Sequence, residues 1–296
     1  MKNKHWKMPL NWVLAFATIV WVPSAVALTT MAPQESAALQ EKDSNESPKQ
    51  KIDGIIATFE ANMAEFMEVY RGANPEDRQK LIAEKMPKSA SYAGKLMELV
   101  TQHPDDPAAV DALLWIVSRA RDTEEGKQAL AMLLQDHMAD QRLTSIVMNL
   151  TYNTPGPDIE SNLQQIISNS PHDSVKGLAT YGLAQYLSRV DQYKEFLEDP
   201  RMAGSLSEEN IRYIKNFKPD QAKQEALYQT IVDQYGEVLY QNRMLGKMAE
   251  GALFAIRYLS VGKTVPEIEG TDLDGEAFKL SDYRGKVVVL DFWGDW

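Results

Sequence analysis

An array of short antiparallel helices followed by a small β-rich tail is the fold class this sequence predicts, and three observations predict it. From Ile52 to about Leu259, apolar residues recur at the three- and four-residue steps of amphipathic helices. Within that span Pro, Asn, Asp and Ser punctuate the pattern at short, uneven intervals. After Leu259 the texture changes: Gly262 and Pro266 break the helix, and Asp274-Gly275 stands between two short runs, a strong hairpin signal.

The elements follow in order. Ile52, Ile55, Ile56, Phe59, Met63, Phe66, Met67 and Tyr70 form one stripe on a first helix. Asn74-Pro75-Glu76-Asp77 supplies a cap residue, a proline at the first helical position and acids that suit the positive end of the helix dipole. The same device recurs at Asp106-Pro107 before Ala108 to Trp115, and more weakly at Thr123-Glu124-Glu125. Ser205 and Glu208 have capping-box spacing. Turns are expected at Pro87, Pro104, Pro155-Gly156-Pro157, Pro171 and Pro219.

Small residues at Gly177, Ala179, Gly182, Ala184, Ala249, Gly251 and Ala252 are expected to let neighbouring helices approach closely. Met132, Met138, Met148, Met244 and Met248 sit at helical spacing and are read as core filling. His103-Pro104-Asp105 and Pro171-His172-Asp173 each head a helix, yet no strict period of about 34 residues emerges. A tetratricopeptide-like array and an irregular helical domain therefore both stay open.

Composition excludes several functions. Hydrophobic residues make up 44% and charged residues 25% of 296, an ordinary globular balance. The net charge is −11 and Lys and Arg are scattered among acids, so nucleic acid is not an expected partner. With no cysteine, this chain holds no disulfide and no thiolate metal site. The histidines lack ligand spacing; His103, His137 and His172 read as caps or surface residues. Asp105-Asp106 and Glu124-Glu125 read as helix-start acids. No glycine-rich phosphate loop, G-x-S-x-G or H-E-x-x-H is present, and no cofactor is expected.

The N-terminus reads as a targeting segment. Lys2, Lys4 and Lys7 precede an apolar run from Trp12 to Val22, and Ala25-Val26-Ala27 gives a small-x-small cleavage pattern. A Sec signal peptide over 1–27 is expected, which places the protein outside the cytoplasm, periplasmic or secreted; an uncleaved membrane anchor is the alternative. Residues 28–51 read as a disordered linker, 52–260 as the helical domain and 261–296 as a separate tail.

The tail carries the most specific motif. Val265-Pro266-Glu267-Ile268 is followed by Thr271-Asp272-Leu273-Asp274-Gly275, then by Phe278 to Lys286, then by a buried-type strand from Val287 to Phe292. The string resembles the start of extracytoplasmic TlpA/ResA-type members of the thioredoxin-like superfamily and of the related peroxiredoxins. The ending Asp291-Phe292-Trp293-x-x-Trp296 resembles the thioredoxin branch. The resemblance covers residues 262–296 alone, and it implies an α/β thioredoxin-like domain of which only the first β elements are present.

It further implies thiol–disulfide exchange by a C-x-x-C at a helix N-terminus, with protein thiols or disulfides, or a redox partner protein, as partners. Asp291 falls where the family carries a buried acid that accepts the second thiol's proton, and Trp296 would flank the nucleophile. Phe292 and Trp293 read as core. The sequence stops where the family places its first catalytic cysteine, so the chain as written is expected to be inactive. An incomplete sequence, a genuine truncation and a UGA codon for selenocysteine all stay open as explanations. A second function class stays open too: an extracytoplasmic helical scaffold with a vestigial tail.

Overall fold

A computed structural model describes residues 46–199, 203–204 and 206–291. The expected signal peptide and residue 296 lie outside the described residues.

Local chemistry sets the first helix earlier than composition implied. Helix α1, Pro48–Gly72, starts inside the stretch read as linker. Ser47 and Gln50 form a capping box, each side chain accepting from the other's backbone amide, at 2.8 and 3.3 Å. The predicted stripe then faces inward: Ile52, Phe59 and Phe66 are buried, and Ile55, Ile56 and Met63 pack beside the core. Phe59 meets Tyr92 and Trp115 edge-on, with ring centroids 5.1 and 5.0 Å apart.

Helices α2, Pro75–Lys85, α3, Ser89–Gln102, α4, Pro107–Arg119, and α5, Glu124–Asp136, follow. Asp106 caps α4 by accepting from the Ala108 amide at 2.8 Å, and Thr123 caps α5 through the Gly126 amide at 3.1 Å. Asn74 stands at the cap position of α2 without a side-chain cap bond. A 3₁₀ turn, Gln141–Leu143, leads into α6, Thr144–Thr151. Then come α7, Pro157–Asn169, α8, Asp173–Phe196, α9, Glu208–Asn216, α10, Gln221–Gln234, and α11, Leu245–Phe254. Every predicted proline turn falls between two of these helices. The cap of α9 is Ser207, which accepts from the Asn210 amide at 3.2 Å, rather than the predicted Ser205.

Two corrections interrupt the helical reading. Leu239–Tyr240 and Arg243–Met244 form β1 and β2 of an antiparallel hairpin whose central residues, Gln241 and Asn242, have φ of 49° and 61°. Two successive left-handed residues match the twist of paired strands, but without Gly they leave little trace in sequence. Met244 is consequently exposed instead of core, whereas Met148 is buried and Met132, Met138 and Met248 pack against the core as expected. Beyond α11, Ala255–Leu259 widens into a π-helical turn.

The packing centres on two helices. α4 touches α1, α3, α5 and α6; α8 touches α6, α7, α9, α10 and α11; α6 joins the two. Both hubs are apolar on most of their circumference, as helices surrounded by others must be. The buried side chains run from Ile52 to Leu253, and no residue from Phe254 to Asp291 is buried.

Small residues on α8 make this possible. A Cβ added to Gly182 would come within 2.3 Å of Thr151 Oγ1, and one on Gly177 within 2.8 Å of Tyr235 Cβ. Ala179, Ala184 and Ala249 are fully buried, but Gly251 faces open space and mediates no close approach. Tyr186, also fully buried, anchors the Pro155-Gly156-Pro157 turn. Its hydroxyl donates to the Gly156 carbonyl at 2.7 Å and accepts from the Gly156 amide at 3.2 Å. Burial pushes the Tyr186 phenol well above its ordinary pKa, so it stays a donor. One turn further along α8, Arg189 donates to the carbonyls of Thr151 and Tyr152, closing the C-terminus of α6.

Tyr186→Phe leaves both backbone groups of a buried glycine unpaired and is expected to cost about 1–3 kcal/mol in urea unfolding. Gly182→Ala is expected to cost about 1–3 kcal/mol by overpacking. Adding Thr151→Ala should recover part of that loss in a double-mutant cycle, because the clash is with Oγ1.

Candidate functional site

The tail that carries the motif is built by short-range polar bonds. Gly262, at φ +83°, follows the π turn, and the chain runs extended to the hairpin of β3, Glu269–Thr271, and β4, Ala277–Lys279. Register pairs Glu269 with Lys279, Gly270 with Phe278 and Thr271 with Ala277, as the Asp274-Gly275 signal predicted. Asp272 Oδ1 accepts from the amides of Asp274 and Glu276, both at 2.9 Å, and Gly275 takes the left-handed φ of +82° that the turn requires. Lys279 Nζ and Glu269 lie 2.6 Å apart across the strands, an exposed pair worth little in water.

A second device folds the hairpin's end back. Leu280 to Tyr283 form a 3₁₀ turn in which Asp282 accepts from the Lys279 amide at 2.9 Å. Glu267 Oε1 accepts from the Ser281 amide at 2.9 Å, tying this turn to the strand entrance. Hydrogen bonds from Ser281, hydroxyl first and then backbone, hold the Glu267 carboxyl below its ordinary pKa. Val265, Pro266, Leu280, Tyr283, Arg284 and Val288 line the open pocket between them. Sequence inspection missed the Glu267–Ser281 tie, since a carboxylate fourteen residues from its donor leaves no local pattern.

The predicted strand does not form over 287–291. These residues pair with no strand and are exposed, Val287 at 97% and Val289 at 87%. A strand needs a neighbour to satisfy its backbone, and none of the described residues supplies one. Asp291 is exposed in this segment, and residue 296 lies outside the described residues, so the two predicted site residues are not brought together here. His103 and His137 end α3 and α5, while His172 begins α8 with its Nε2 2.8 Å from the Ala139 carbonyl oxygen. Among the described residues no group of His, Asp and Glu could hold a metal ion, and no helix is long and apolar enough to cross a membrane.

No protein-family model matches the chain, and no solved structure matches it. A local match joins it to the thiol-disulfide oxidoreductase ResA of Geobacillus kaustophilus, 55% identical over 38 residues, or 13% of this chain and 22% of that protein. ResA of Geobacillus thermodenitrificans is 50% identical, and ResA of Bacillus anthracis 45% identical, over matches of the same length. The chain thus spans about a fifth of the length of the curated relatives it matches. The similarity supports a thioredoxin-like relationship for that short stretch.

The tie between Glu267 and Ser281 is expected to depend on pH. The folded pKa of Glu267 lies below the unfolded value, so the tie to Ser281 is present at neutral pH and is lost as pH falls through and below the ordinary glutamate range. Hydrogen exchange at the Ser281 amide is expected to show protection at neutral pH that acid removes. Glu267→Gln is expected to abolish the acid dependence.

Proposed function

We propose that this chain is the helical portion and the opening of the redox domain of an exported thioredoxin-like thiol–disulfide oxidoreductase. One observation carries the reading. Residues 265–290 present the family's motifs in order, and the chain shares 55% identity over 38 residues with a thiol-disulfide oxidoreductase. In this reading residues 1–27 direct export, with an uncleaved anchor as the alternative. The helical domain extends to residue 260, and 261–296 begin the redox domain.

Asp291, buried once further strands pair with 287–290, would accept the second thiol's proton, and Trp296 would shape the mouth of the site beside the nucleophile. Exchange requires a thiolate or selenolate that attacks a substrate disulfide and expels a thiolate; this chain contains no cysteine to do so. Protein thiols and disulfides are the substrates proposed. A second reading, a helical binding scaffold with a vestigial tail, is favoured by the confinement of the buried residues, among those described, to positions before Phe254.

The nucleotides after the Trp296 codon decide between them. Read in frame, they are expected to supply Cys-x-x-Cys or its selenocysteine counterpart; a continuation without it overturns the oxidoreductase reading and leaves the scaffold. Purified 1–296 should reduce insulin disulfides no faster than dithiothreitol alone. The extended protein should exceed that rate, and Asp291→Asn in it should slow the reaction about ten- to a hundredfold.

A further inference from the structure

Helix α2 differs from its neighbours in what holds it. It has 11 residues, and none of them is buried. Every other α-helix named above buries at least one side chain. Its two flanking helices are well anchored: α1 buries Ile52, Phe59 and Phe66, and α3 buries Ala93, Leu96, Met97 and Val100. Asn74 gives α2 no side-chain cap bond, and no α2 side chain makes a hydrogen bond or ion pair to a described residue. An isolated helix of this length is marginal in water.

One contact fastens it. The Arg78 guanidinium lies 5.2 Å from the Tyr70 ring of α1. The same side chain brings a cost, because Arg78 Nε is buried without a hydrogen-bond partner. A stacked guanidinium gains less than an unpaired buried donor loses, so the latch is weak. Next to it, the end of α2 borders an open groove of about 570 Å³, where Phe66 and Val69 of α1 and Tyr92 of α3 meet Met86 and Pro87. Phe66 is the buried member of this apolar set, and its ring lies 5.8 Å from that of Tyr70. The connections at both ends of α2 are free to turn: a Cβ on Gly72 would meet nothing, and Asn74, Met86 and Lys88 are exposed. Short stretches of this kind absorb the backbone change when an element swings.

We propose that α2 is a lid on the array. It opens by local unfolding about these two connections while the other helices stay folded, and it uncovers the Phe66 and Tyr70 face of α1. Local opening draws on elements with few buried apolar contacts and exposed backbone, and α2 has both properties. The inference rests on the array alone and holds under either functional reading.

Hydrogen exchange of the 296-residue chain, read by peptide mass spectrometry, tests it. Amides of 79–85 are expected to exchange at least about a hundredfold faster than those of α3 and α4, yet more slowly than an unfolded chain. Low urea should leave the α2 rates nearly unchanged, because opening exposes little surface. Tyr70→Ala removes the ring beneath Arg78 and is expected to speed α2 exchange about fivefold, with α4 and α8 unchanged. Lys80 is exposed in the middle of α2, so Lys80→Pro should hold the lid open. That variant is expected to keep the array's urea midpoint and to bind more anilinonaphthalene sulfonate, a dye for apolar surface. Exchange in α2 at the rates of α3 and α4, or no protection there at all, overturns the proposal. So does a Tyr70→Ala effect spread evenly over the array, a lowered urea midpoint in Lys80→Pro, or dye binding that Lys80→Pro leaves unchanged.

Discussion

The architecture depends on how closely α8 lies against α6. A helix with neighbours on most sides cannot carry large side chains everywhere, and the distance to α6 is set by Gly182 against Thr151. That spacing puts the C-terminal carbonyls of α6 where Arg189 can reach them, and puts Tyr186 where its hydroxyl meets the Gly156 backbone. Three features of one helix, a missing Cβ, a phenol and a guanidinium, therefore fix the connection between α6 and α7. The α4 hub works by a simpler rule, with a nearly continuous apolar run from Ala108 to Val117 packed by α1, α3, α5 and α6.

Energetics divide the chain at Phe254. Before it, fully buried Leu and Ile side chains each contribute about 1.5–3 kcal/mol by leaving water. After it, order comes from bonds among near neighbours: Asp272 to two amides, Asp282 to Lys279, Glu267 to Ser281. A two-stranded hairpin held this way is marginal by itself. Most of its apolar side chains, from Val265 through Phe278 and Tyr283 to Leu290, stay in water, with Ile268 and Leu280 half-buried. Exposed apolar surface of this kind is typical of interaction sites and ligand grooves.

The array and the tail then suit different tasks. The tail carries the redox resemblance while the chain contains no cysteine, and among the described residues no group of His, Asp and Glu could hold a metal ion.

Sequence by itself determined the class of fold, because periodicity and caps are local. The stripe from Ile52 to Tyr70, the starts at Asp106-Pro107 and Thr123, and the hairpin turn at Asp274-Gly275 all depend on residues within a few positions of one another. It also determined the redox resemblance, which is a string of adjacent residues. Its misses share one cause. The capping box at Ser47 was hidden in a polar stretch, the Gln241-Asn242 turn uses residues with weak turn signals, and Gly251 looks like Gly182 until a neighbouring helix is placed. Only tertiary structure decided which glycine is crowded and which methionine is wet. These are outcomes of which helices meet, and no local pattern in the sequence encodes them. The exposure of Asp291 is of the same kind, since no described strand pairs beside it.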